Sequence, residues 1–387
     1  MSSHGAPARI AVVSAYLDPL RRNPEELVSG VWRDFGRVPG AAKRAGVDVT
    51  VLESAWKNAE LEVEGVRCHF VCEPRDPFVS LPGGRKLRRA PHELLARVQS
   101  HQPDIIHYKG LILPAQARRL AHALPGVPIL AQDHGTKCPT GWRARWYGWG
   151  FAPLTGVMFT ARAQALPFMA ARALRRDLPV FEVVEGSSPF IPGDVAAARN
   201  ATGLRGDPCL LWVGNLDANK DPLLVLNAVS QFAEHSPGVR LYMCFRHGPL
   251  LANVRQRIAT DPRLSNRVVL LGEIRYPVIQ AHFQAADFLV QASHAEGSGY
   301  GVIEALACGT TPIVTDIPSF RRITGDGRRG ALVPLDDVDA FAAALRDWCG
   351  RDRAALRQQA RAHFERELSF DAIGRQLRSV YDHVAGT

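Results

Sequence analysis

Nowhere in the 387 residues does an apolar run reach the ~20 residues needed to span a bilayer. The stretch from Gly150 to Ala161 stops at Arg162. No basic segment precedes the first apolar run, so Ile10–Ala15 is expected to be a first strand and not the core of a secretory signal. Low-complexity tracts are missing too, which excludes a disordered, collagen-like or coiled-coil chain. A content of 46% hydrophobic, 22% charged and 8% aromatic residues is that of a folded soluble protein. Cysteine is sparse and scattered: seven residues, at 68, 72, 138, 209, 244, 308 and 349, an odd set that suggests no disulfide framework. Cys68-His-Phe-Val-Cys72 has no second pair at zinc-site spacing. No metal is therefore expected, and the thiols read as small core hydrophobes in a reducing cytoplasm.

Acidic residues are absent from His134 to Arg176, where Lys137, Arg143, Arg145, Arg162, Arg172, Arg175 and Arg176 stand unopposed. The net charge of +9 is skewed to match: residues 1–195 hold 25 basic and 18 acidic residues, the remainder 22 and 20. Trp142, Trp146, Tyr147, Trp149, Phe151, Phe159 and Phe168 are interleaved with these cations. A second basic run joins Arg85, Lys86, Arg88, Arg89 and Arg97 against Glu93. Three readings are open. The rings pack into the core behind a solvated basic face, or they line a groove for an anionic glycan, or they sit at headgroup depth in peripheral contact with an anionic membrane. No recognition motif for nucleic acid accompanies the charge, and no nucleic-acid partner is expected.

At roughly 150 residues per domain the length implies two or three domains. Short apolar runs alternate with amphipathic stretches in both halves. The strands predicted in the first are Ile10–Ala15, Val47–Glu53, Arg67–Cys72, Ile105–Tyr108, Pro128–Gln132, Gly156–Thr160 and Val180–Val184. Those in the second are Cys209–Val213, Arg240–Phe245, Val268–Leu271, Phe288–Gln291, Thr311–Thr315 and Ala331–Val333. Apolar strands interleaved with helices indicate parallel sheets covered on both faces. Asp221–His235 shows how a helix is encoded: Asp221 as N-cap, Pro222 in the first turn, and Leu224, Ala228 and Phe232 on one face. Breaker-rich segments place the domain boundary near 189–208. The expectation is an α/β chain with Rossmann-like, doubly wound domains at 1–195 and 196–368 and a helix at 369–387 returning to the first. Two such domains facing each other turn the carboxyl ends of their strands to a shared cleft, where ligands bind in these sheets.

The most informative stretch is Ser293-His-Ala-Glu296-Gly297-Ser298-Gly299-Tyr300-Gly301-Val-Ile-Glu304-Ala-Leu-Ala-Cys-Gly309. A strand ends at about Ser293, a glycine-rich loop follows, and a helix runs from about Tyr300 to Cys308 with Gly309 as its stop. The glycines let backbone approach a ligand closely, and the helix start offers N–H groups and positive dipole to an anion. Glu296 in the loop and Glu304 one turn inside the helix can each meet a different hydroxyl.

These paired glutamates resemble the signature of glycosyltransferase family 4, retaining and metal-independent enzymes of the GT-B fold that use nucleotide-sugars. Thr311-Pro-Ile-Val-Thr-Asp-Ile-Pro and Gly330-Ala-Leu-Val-Pro334 continue the likeness, which is strong over 208–348 and weak over the first half. The resemblance implies a donor-binding second domain and an acceptor-binding first domain. It also implies donor contacts from Gly214, Asn215, Lys220, Arg246, Ile274, Arg275, Glu296, Gly297, Ser298, Gly299, Tyr300, Gly301 and Glu304. Catalytic roles fall to Glu296, Lys220 and His134, the last in Gln132-Asp133-His134-Gly135 after a predicted strand. Lys220 stands where the family places a lysine on the donor diphosphate, but Asn215 replaces the arginine usual after the glycine, and Asn carries no charge. Arg246 is a candidate substitute. Ser29-Gly30 is a weak stand-in for the glycine pair often found after the first strand, and Glu185-Gly186-Ser187-Ser188 is expected to line the hinge side.

The implied reaction moves a sugar from a nucleotide diphosphate to a hydroxyl of a glycan, a lipid-linked or a small-molecule acceptor. It needs no cofactor besides the donor, and the implied place is the cytoplasm or the cytoplasmic face of the membrane. Other GT-B activities (an epimerase or a phosphorylase) and a nucleotide-binding homologue of weak activity are the alternatives. A dinucleotide fingerprint is missing, since Ser14-Ala-Tyr-Leu-Asp-Pro19 follows the first strand.

Overall fold

The structure, a computed structural model, describes residues 8–29, 35–76, 78–80 and 86–386. It divides into two units. Unit 1 runs up to Gly186 and takes in the segment from Phe370; unit 2 is Ser187–Ser369. The predicted boundary at 195 lies later than this division. Ser187 Oγ donates to the Leu368 carbonyl at 2.6 Å, and the Phe190 ring packs on Tyr276 and Phe283, with centroids 5.1 and 6.0 Å away. The segment after Gly186 is thereby tied into unit 2.

Unit 1 contains β1 (Arg9–Ser14), β2 (Asp48–Ala55), β3 (Ala59–Val63), β4 (Val66–Cys72), β5 (Phe78–Ser80), β6 (Lys86–Arg88), β7 (Ile105–Lys109), β8 (Ile129–Gln132), β9 (Gly156–Phe159) and β10 (Val180–Glu182). Eight of them form a sheet in the order β10-β9-β8-β7-β1-β2-β4-β3, parallel except for β3, while β5 and β6 pair antiparallel with each other. The strands foreseen from the sequence are largely buried, except for β10 at the sheet edge. β3 was not foreseen because an edge strand with alternating exposure carries no continuous apolar run. The helix Phe370–Ala385 closes the unit by packing on the helix Arg37–Arg44, where Gly374 lies flush against the Ala41 carbonyl.

Unit 2 contains β11 (Cys209–Val213), β12 (Arg240–Cys244), β13 (Val268–Gly272), β14 (Phe288–Gln291), β15 (Thr311–Thr315) and β16 (Ala331–Val333), parallel throughout in the order β13-β12-β11-β14-β15-β16. Leu210, Trp212, Val229, Met243, Val290 and Phe341 fill its core. The Asp221 side chain caps the helix Pro222–Phe232 by accepting the Leu224 N–H at 3.1 Å. That helix stops short of the predicted His235 because its last N–H groups bond three residues back, as in a tightening turn. Each large sheet reverses its strand order once, between β1 and β7 in unit 1 and between β11 and β14 in unit 2. Crevices at such reversals, outside the carboxyl ends of the strands, are where parallel α/β sheets hold ligands.

Candidate active site

In unit 2 the reversal brings the loops after β11 and β14 together. Lys220 Nζ lies 2.5 Å from Glu296 Oε1, with 21% and 14% of their side chains exposed. Local bonds set up this meeting. Asp217 accepts the Lys220 N–H at 2.9 Å, and the lysine stem runs over Gly214, where a Cβ would sit 3.4 Å from Lys220 Cγ and Cδ. Asn219 stitches the two loops: its side chain accepts the Ala295 N–H at 3.1 Å and donates to the Ala295 carbonyl at 3.0 Å, while its own carbonyl accepts the His294 N–H at 2.8 Å. Beneath them, Gln291 Nε2 donates to the Val213 carbonyl and Thr315 Oγ1 to the Ser293 carbonyl, each at 2.5 Å.

The glycine loop leads into the helix Tyr300–Cys308. Gly299, at φ +67°, has no room for a side chain, since a Cβ would lie 2.5 Å from Phe320 Cε1. Val302, Ile303, Ala305 and Leu306 anchor the helix, leaving Gly301 and Glu304 partly open on one edge and Tyr300 exposed. Gly214, Asn215, Lys220 and Glu296–Gly299 thus belong to the two loops at the reversal, and Tyr300, Gly301 and Glu304 to the helix that follows the second. Arg246, exposed and without hydrogen bond or ion pair among the described residues, follows β12 one strand away. Ile274 and Arg275 follow β13, two strands away, with Ile274 partly buried. Asp221, His294 and Asp336 also gather here, with ligand-type atoms within 4.8 Å of one another. Asp221 is already engaged as the helix cap.

Unit 1 carries a second polar cluster along the carboxyl edge of its sheet. His134 Nδ1 lies 2.8 Å from Glu185 Oε2, and Asp133 shapes the loop by accepting the Gly135 and Thr136 N–H groups at 3.0 and 2.9 Å. Glu53, inside β2, is buried, and burial pushes its carboxyl above the usual range against the pull of Lys109, whose Nζ is 3.9 Å away. His107 is held between Tyr381 Oη at 2.7 Å and Gln132 Oε1 at 3.0 Å, and burial brings its imidazole down to about 3. Sequence reasoning passed over Glu53, Lys109 and His107. The available signal was a polar or charged residue inside or at the end of an otherwise apolar strand in a doubly wound sheet. Ser29 is exposed, and Gly30 lies outside the described residues. The cysteines are unbridged, and burial pushes the thiols of Cys68, Cys209, Cys244 and Cys308 up to about 12, which makes them poor nucleophiles.

Two parallel-sheet units of this kind are the architecture of the GT-B glycosyltransferases. The chain belongs to glycosyltransferase family 4. Residues 207–350 match the family model described as glycosyl transferases group 1, and residues 30–166 match that described as glycosyltransferase family 4. The D-inositol 3-phosphate glycosyltransferase of Mycobacteroides abscessus is 32% identical over 406 aligned positions, covering 92% of this chain and 85% of that protein. Its counterpart in Geodermatophilus obscurus is 31% identical over 195 positions, covering 48% of this chain and 43% of that protein. Among solved structures, the Anabaena protein HepE in complex with UDP shares the fold, with a TM-score of 0.69 at 15% identity, covering 97% of this chain and all of that one.

Proposed function

We propose that this chain transfers a sugar from a nucleoside-diphosphate sugar to a hydroxyl group, with retention at the anomeric carbon. The observation that carries the reading is the pairing of Lys220 with Glu296 at the reversal in unit 2, beside the start of the helix Tyr300–Cys308. A diphosphate seated there meets an ammonium and the positive end of a helix. As the glycosidic bond breaks, charge builds on the leaving diphosphate, and these fixed groups offset it without reorganising. The arriving phosphate takes over the Lys220 ammonium and releases the Glu296 carboxylate to hold hydroxyls of the transferred sugar. Glu304, on the open edge of the same helix, takes the ribose hydroxyls. In this reading no metal is required, because lysine and helix supply the positive charge.

Unit 1 serves the acceptor. With Nδ1–H bonded to Glu185, His134 has its Nε2 left to meet a hydroxyl. HepE, bound to UDP, and the inositol phosphate relatives support a nucleotide donor and a hydroxyl-rich acceptor.

Asn215 favours one second reading, a nucleotide-binding homologue of weak activity, since a neutral amide stands where the family has an arginine. A single screen separates the two. The protein is incubated with uridine, guanosine, adenosine and thymidine diphospho-sugars, diphosphate release is followed, and the product anomer is read by proton NMR. The transferase reading expects release from one donor class with retained configuration, lost in folded Glu296→Ala and Glu304→Ala variants. Nucleotide binding without release from any donor contradicts it.

A further inference from the structure

We propose that the tryptophan face of the helix Gly141–Phe151 docks on the interface of an anionic bilayer. The sequence set rings among cations without showing which of them face water. The structure separates them: Tyr147, Phe151, Phe159 and Phe168 are buried in the core of unit 1, so those four belong to packing and not to any interface. Trp142, Trp146 and Trp149 are 76%, 43% and 46% exposed. At about 100° per residue the three fall within an arc of roughly 60°, a single stripe along one side of the helix.

The rotation of that helix is fixed from behind. Ala144, Tyr147 and Phe151 enter the core on the opposite side. Gly150 presses on the neighbouring helix so closely that a Cβ would lie 2.6 Å from the Pro114 carbonyl oxygen, and Gly148 meets the Arg172 carbonyl. The rings are ordered where they stand. Trp146 and Trp149 stack with centroids 4.7 Å apart, and Arg118 lies 4.7 Å over the Trp149 ring while donating to the Trp149 carbonyl at 2.9 Å.

Indole has an apolar body with one polar N–H, which suits the level of lipid headgroups better than bulk water. The surrounding charge selects the partner. Lys137, Arg143 and Arg145 are exposed and have no ion-pair partner among the described residues, and the sequence from 134 to 176 contains no acid. These cations complement lipid phosphates. A second copy docked symmetrically on the same face would set Arg143 and Arg145 against themselves. The helix follows directly on the loop that carries His134. Among the described residues no helix is long and apolar enough to cross a membrane, so the contact is peripheral.

The test uses the whole protein and needs no donor, so it stands apart from the assignment of the reaction. Sedimentation is measured with vesicles of phosphatidylcholine alone and of phosphatidylcholine mixed with phosphatidylglycerol, at low and high salt. The protein should sediment with the anionic vesicles, less at high salt, and its tryptophan emission should shift to the blue and be quenched by brominated acyl chains. Two double variants, Trp142→Ser with Trp146→Ser and Arg143→Glu with Arg145→Glu, change exposed side chains, so circular dichroism should remain that of the parent. Each should bind about tenfold more weakly, and in the first the quenching should fall to what Trp149 alone supplies. No sedimentation with anionic vesicles at low salt overturns the proposal, as does undiminished binding in both variants. A dimer that dissociates in the tryptophan variant, with no vesicle binding by the parent, overturns it in favour of a second copy.

Discussion

Tyr381 Oη, on the helix Phe370–Ala385, lies 2.7 Å from Nδ1 of His107 in the unit 1 sheet. Nε2 of the same ring faces Gln132 Oε1 at 3.0 Å, so Nε2–H donates there and Nδ1 accepts the phenolic hydroxyl. Burial pushes the phenol above its ordinary range and holds it as a donor. Tyr381→Phe leaves a buried acceptor unsatisfied and should cost about 1–3 kcal/mol. Urea unfolding of the variant measures this, and an unchanged midpoint and slope would show the bond to be worthless.

His107 also predicts a pH dependence. Its imidazole titrates at about 3 in the fold and near the ordinary ~6.5 when unfolded, so the unfolded chain takes up the proton first. The stability contributed by neutral His107 is complete above about pH 6.5 and is lost as the pH falls toward 3. Burial lowers His282 and His363 with the same sign. The melting temperature should drop between pH 7.5 and 4.5, and less steeply in His107→Gln; parallel curves would rule out the assignment.

Glu53 has the opposite sign. Burial, the larger effect, raises its carboxyl against Lys109, Ser14 and His134, so the folded state keeps its proton to higher pH than the unfolded one. Stability is therefore drained as the pH climbs from the usual carboxyl range through the raised value. Glu53→Gln, which keeps the shape and loses the ionisation, should melt higher than the parent at pH 8 and equally at pH 4. A difference independent of pH would point to packing instead.

Asn219 joins the loop of Lys220 to that of Glu296 through both polar atoms of its amide. The residue is exposed, so Asn219→Ala should leave the fold stable while letting the two loops drift. The expected result is a raised donor KM and a lowered kcat with a melting temperature within about a degree or two of the parent. Parent kinetics in this variant would show that Asn219 positions nothing.

The sequence was most legible where burial is two-sided. β11, β14 and β15 are buried almost throughout because helices cover both faces, and their bounds were predicted residue for residue. The helix start at Tyr300 was legible through Gly299 and Gly309, since both are held at positive φ. Edge strands such as β3 were not, because exposure alternates there. In the site, residue types and spacing indicated Glu296, and the family resemblance indicated Lys220, each separately. Their contact depends on β11 and β14 being neighbours though distant in the chain, and local pattern does not carry that adjacency. The stripe of Trp142, Trp146 and Trp149 was hidden for a related reason: its neighbours on the helix are equally aromatic, and only the packing of Gly148 and Gly150 decides which rings turn outward.

In the proposed function the Lys220–Glu296 pair is a donor diphosphate site held closed by its own carboxylate. Titration calorimetry with uridine and guanosine diphosphates on the parent, Lys220→Ala and Glu296→Gln measures it directly. Losing a hydrogen bond to a charged group costs about 1.5–3 kcal/mol, so Lys220→Ala should bind roughly ten- to a hundredfold more weakly. Glu296→Gln, which frees the ammonium, should bind at least as tightly as the parent. Equal affinity in the parent and Lys220→Ala would contradict the account.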